Sequence, residues 1–115
     1  MEIHKAVHFV CFDEFVEAAD YIAKLAVLEK VPCKFGANYL LGFLAEFTEK
    51  SMPPELTDKF LVAADPQSTI FDSSGNRSFL CCRREKSYRI IEIASGRNGW
   101  APRWAFLVEN SRSLS

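Results

Sequence analysis

The residues best suited to recognition crowd into positions 95–104, S-G-R-N-G-W-A-P-R-W, where Arg97, Trp100, Arg103 and Trp104 surround two glycines. A guanidinium is a planar fork that binds carboxylate or phosphate through two hydrogen bonds and stacks on aromatic rings. Tryptophan and arginine dominate the hot spots of protein interfaces, and the same pair stacks on and neutralises single-stranded nucleic acid. Gly96 and Gly99 let a backbone approach a ligand closely. Of the two indoles, Trp104 reads as core of a final strand. Trp100, between Gly99 and Ala101, has no strand position to account for it and is the functional candidate.

All seven arginines, Arg77, Arg83, Arg84, Arg89, Arg97, Arg103 and Arg112, lie in the last third of the chain. Residues 1–76 hold twelve carboxylates and six lysines, a net charge of −6, and residues 77–115 hold eight bases and three glutamates, a net charge of +5. If a hairpin turns near Lys86, Arg83 and Arg84 sit opposite or diagonal to Tyr88 and Arg89. Like charges so placed destabilise a sheet unless an anion joins them. Internal pairing with Glu85, Glu92, Glu109 and the helical carboxylates is the competing use of these arginines, and surface pairs of that kind contribute little. Adjacent strand residues diverge, so Arg83 and Arg84 cannot share a face. The candidate surface therefore contracts to Arg97, Trp100 and Arg103, with Arg89, Tyr88 and Arg83 or Arg84 as additions.

Other chemistries find less support. On a strand, His4 and His8 are about 13 Å apart, too far to share a metal ion, and no C-x-x-C pair exists. Cys81 and Cys82 point to opposite faces of their strand, and Cys11 lies on the opposite face from His8, so a cysteine nucleophile has no base nearby in sequence. The glycines match neither a P-loop nor the dinucleotide fingerprint. No cofactor and no catalytic set is indicated.

A chain of 115 residues, 49% apolar and 25% charged, suits one soluble domain. Residues 1–109 are expected to form it and the serine-rich residues 110–115 to fray. No run approaches the roughly 18 apolar residues of a membrane span, and the N-terminus lacks the order of a signal peptide, which favours a cytoplasmic location with reduced cysteines.

These residues need elements to position them. Ile3 to Phe12 reads as a strand, and Asp13 as the cap of a helix that runs to Lys30 with an Asp20–Lys24 ion pair. Val31 to Gly36 is a connector or short strand, followed by a helix from Asn38 to Ser51. Gly42 within that helix costs roughly 1 kcal/mol relative to alanine and implies a close neighbour. For residues 55–64 a short helix started by Pro54 is favoured over a strand at Lys59 to Ala63. Phe79–Arg84, Tyr88–Ala94 and Arg103–Val108 read as an antiparallel meander. The expected fold is α+β: an N-terminal strand, two to three helices, then the meander packed against helices on one face. The expected function is a small non-catalytic binding or inhibitor module that docks an anionic protein surface. Direct nucleic-acid or nucleotide binding by the same residues is the alternative, and an edge strand offers a route to a homodimer.

Overall fold

A computed structural model describes residues 7–48, 51–68, 70–85, 88–95 and 99–110. Within them lie β1 (His8–Cys11), α1 (Tyr21–Val27), β2 (Lys30–Pro32), α2 (Gly36–Glu46), a 3₁₀ turn (Pro54–Leu56), β3 (Phe60–Ala63), β4 (Phe79–Glu85), β5 (Tyr88–Ala94) and β6 (Trp104–Asn110). The fold is mixed α+β, two helices and one six-stranded sheet.

The strands run in the order β1-β6-β3-β4-β5. β6 is the hub: it pairs antiparallel with β1 and parallel with β3. Val108 pairs with His8 of β1 and also with Pro32 of β2, so β2 takes the edge opposite β1 and continues the line of β3. The expected three-strand meander is therefore corrected to one hairpin, β4–β5, with β6 moved to the middle of the sheet. The reason is visible in burial. Ala105, Phe106, Leu107 and Val108 are all buried, and a strand apolar on both faces belongs inside a sheet, whereas β5 alternates and takes an edge.

Side-chain alternation divides the core into two layers. On one face Val62, Cys81, Phe106 and Val108 pack with Tyr21 and Leu25 of α1 and with Val16 and Trp100. On the other, Leu61, Ala63, Cys82, Ala105 and Leu107 pack with Leu40 and Leu44 of α2. The helices thus cover both faces, not one, because consecutive residues of β3, β4 and β6 are apolar and each face needs its own cover. Cys81 and Cys82 do lie on opposite faces, and all four cysteines are free thiols.

Three local expectations change. The first helix does not begin at Asp13. Val16 spends its backbone N–H and C=O on Trp100, and Asp20 N–H bonds Glu17 O in a turn, so helical bonding starts only at Lys24 N–H to Asp20 O. Lys24 meets Glu14 at 3.6 Å instead of Asp20. Residues 55–64 form a 3₁₀ turn and a strand, not a helix: Leu61, Val62 and Ala63 are all buried between the two layers, a demand that a surface helix would not meet. The close contact expected at Gly42 occurs at Gly36, where an added Cβ would come within 3.1 Å of Ala63 Cβ; one at Gly42 would meet nothing within 4 Å. Among the described residues no helix is long and apolar enough to cross a membrane.

Candidate functional site

The sequence candidates scatter. Arg97 lies outside the described residues, as do His4 and Lys86. Trp100 is 1% exposed and is the largest side chain of the core. Its ring meets Tyr21, Trp104 and Phe106 at centroid distances of 5.5, 5.2 and 5.0 Å, and its Nε1–H donates to Ala18 O at 3.3 Å. The expectation of an exposed indole is corrected. Backbone pairing with Val16 carries this loop tryptophan inward, and its N–H finds an internal acceptor.

Arg84 and Arg89 face each other directly across β4–β5, the like-charge clash that the hairpin implies. For Arg89 the answer is internal and comes from neutral carbonyls. Arg89 donates to Phe47 O at 2.8 Å and Leu44 O at 3.2 Å, the negative end of α2. Arg83 points to the other face and binds Glu92 through Nε at 2.7 Å and Glu85 at 3.2 Å. The hydrogen bond that Arg83 donates to Glu92 is the main cause that holds its pKa above the ordinary arginine value. Tyr88, opposite Glu85, is exposed at the hairpin end.

A further set of cations converges at one end of the sheet. Extending the registers Leu61↔Cys82 and Phe60↔Trp104 by the needed residues sets Lys59 between Arg84 on β4 and Arg103 before β6. These three cations, with Asp58, Phe60 and Thr57, line a groove of about 600 Å³. Arg103 lies with Cζ 5.0 Å from the centre of the Phe60 ring, and that ring is held edge-on to Trp104 at 5.2 Å. The backbone is tied as well: Phe60 N–H donates to Arg103 O at 2.8 Å. Three positive charges on neighbouring strands repel one another, and one carboxylate, Asp58, offsets them in part.

Lys59 and Phe60 were not singled out in the sequence because their segment reads as helix, which hides the pairing of both its neighbours. The signal that could have found them is the run Phe60–Ala63, apolar at every position like Trp104–Val108 of β6.

Among the described residues no group of three His, Cys, Asp or Glu side chains could hold a metal ion. Burial pushes the Cys81 thiol up to about 12, aided by Glu92 and Cys82, and also raises the Cys11 thiol. Thiols so shifted are poor nucleophiles. No protein-family model matches the chain, and neither a curated protein nor a solved structure matches it.

Proposed function

We propose that this chain is a small non-catalytic binding module that docks an acidic segment of a protein partner in the groove edged by Lys59, Arg84 and Arg103. The observation that carries the reading is the alignment of these three cations across adjacent strands around one groove, with the Arg103 guanidinium laid on Phe60. A carboxylate in that groove would relieve the repulsion among them. A protein is favoured over a nucleic acid because Asp58 sits among the cations and the whole chain carries a net charge of −1, whereas dedicated nucleic-acid binders are basic overall.

The test compares the intact chain with Lys59→Glu and Arg103→Glu, each verified as folded, in affinity capture from the native host. A protein held by the intact chain and lost from both variants supports the reading; equal retention by all three removes it. Labelled single- and double-stranded oligonucleotides at two salt concentrations form the second arm. Binding with a slope near roughly −2.7 in log K against log salt, the value for three duplex phosphates neutralised, would put nucleic acid in the groove instead.

A further inference from the structure

A second concavity lies on the α2 face, at the β1 side of the sheet. Between α2, β1 and the Pro54–Leu56 turn the chain leaves a cavity of about 720 Å³. Small-molecule sites range over about 300–1,000 Å³ and are mostly apolar with a few polar groups. Phe9, Phe43, Leu56 and Leu107 supply apolar walls, and the rings of Phe9 and Phe43 meet edge-on at 5.1 Å.

Gly42 lines the same space, and a Cβ built there meets nothing within 4 Å. Glycine in a helix interior is destabilising relative to alanine, and no neighbour here demands it. What its missing side chain leaves is room in the cavity. Glu46 stands one helical turn after Gly42 on the same face of α2, and Glu55 lies on the turn. Neither carboxylate meets a cation among the described residues. Apolar walls with two carboxylates that meet no cation among the described residues fit the positive end of an otherwise apolar molecule.

We propose that this cavity binds a small molecule with an aromatic or branched-alkyl body and a protonated amine. The body rests on Phe9 and Phe43, and the ammonium points to Glu46 and Glu55. The site is separate from the basic groove at Lys59 and Arg103 and selects the opposite charge.

Phenethylammonium is the probe, with 3-phenylpropionate as an anion of similar size, each followed by amide NMR shifts. Saturable shifts centred on Gly42 and Phe43 are expected in the millimolar range for the amine. Glu46→Gln combined with Glu55→Gln should weaken the amine about tenfold, as expected for two exposed charges. Gly42→Leu, whose side chain would enter open space, should abolish binding while the far-ultraviolet circular dichroism stays unchanged. No saturable shift, equal affinity for amine and carboxylate, or full affinity in the double glutamine variant would overturn the proposal, whether or not Gly42→Leu folds. A concentration-dependent dimer abolished by Gly42→Leu would put a second copy of the chain there and overturn it as well.

Discussion

Val16 and Trp100 exchange two backbone hydrogen bonds, Val16 N–H to Trp100 O at 3.0 Å and Trp100 N–H to Val16 O at 2.8 Å, although 84 residues separate them. That bridge ties the connection between β1 and α1 to the one between β5 and β6, and sets the indole beside Tyr21 and against Phe106. Gly99, with φ of +88°, supplies the left-handed backbone that admits the turn into the bridge.

Trp100 should therefore behave as a core residue. Trp100→Ala is expected to cost about 3–5 kcal/mol, the range for removing a large buried aromatic. Arg103→Ala, at an exposed position, should stay within about 0.5 kcal/mol. Urea unfolding monitored by circular dichroism measures both; an unchanged midpoint for Trp100→Ala would contradict its burial.

Arg89 closes the carbonyl end of α2 through Leu44 O and Phe47 O. Arg89→Met keeps much of the stem but leaves these oxygens without their charged donor, and should destabilise the chain by about 1–3 kcal/mol. Arg83→Met, on the other face, breaks pairs with Glu92 and Glu85 that are open to solvent and should cost less than Arg89→Met. The ordering of the two variants in denaturant is the check.

Alkaline pH should weaken the fold. Burial raises the Cys81 thiol from an ordinary 9.0 to about 12 and the Tyr21 phenol from 10.0 to about 12. Both groups keep their protons longer in the folded chain, so this stabilisation is complete below about pH 9 and is lost as pH rises toward about 12. The slope is at most about 1.4 kcal/mol per pH unit for each group. Cys81→Ala and Tyr21→Phe should each flatten the alkaline limb of a stability–pH curve. Tyr21→Phe also gives up the bond to Ala64 O, at 2.9 Å, and so should lower stability at neutral pH too. In the folded chain Cys81 should resist alkylation at pH 8.

Two glycines in or beside α2 should respond in opposite directions. Gly42→Ala faces open space and should stabilise by about 1 kcal/mol through helix propensity. Gly36→Ala brings a methyl to 3.1 Å from Ala63 Cβ and should give less or reverse sign, as α2 is pressed against β3 there. Thermal melts of the two variants side by side separate space from propensity.

Much of the element plan was legible. β4 and β5 announce themselves by β-type composition around a polar turn, and the strand at His8–Cys11 falls inside the span its pattern marks; the helix at Gly36–Glu46 overlaps its expected span but starts ahead of Asn38 and ends before Ser51. The misreadings share one cause. Phe60–Ala63 and Trp104–Val108 are short continuous apolar runs, for which periodicity cannot separate a helix from a buried strand or a central strand from an edge one. Residues 13–20 carry good helix-capping types, yet a long-range bridge at Val16 takes the backbone groups a helix would need.

The candidate site divides along the same line. Charge segregation, the divergence of Cys81 from Cys82 and the clash of Arg84 with Arg89 follow from residue order and strand alternation, which are local properties. Whether an arginine is answered from within depends on which carbonyl or carboxylate folding brings beside it. Arg89 meets Phe47 O at 42 residues' separation, while Lys59 and Arg103 meet only because β6 inserts beside β3. Residue types thus set the sign of the charge and the need for a counter-ion. The long-range bridge to Val16 decided that Trp100 is core, and strand order that Lys59, Arg84 and Arg103 share a groove, since pairing between distant segments is governed by burial of both sheet faces and not by any local preference.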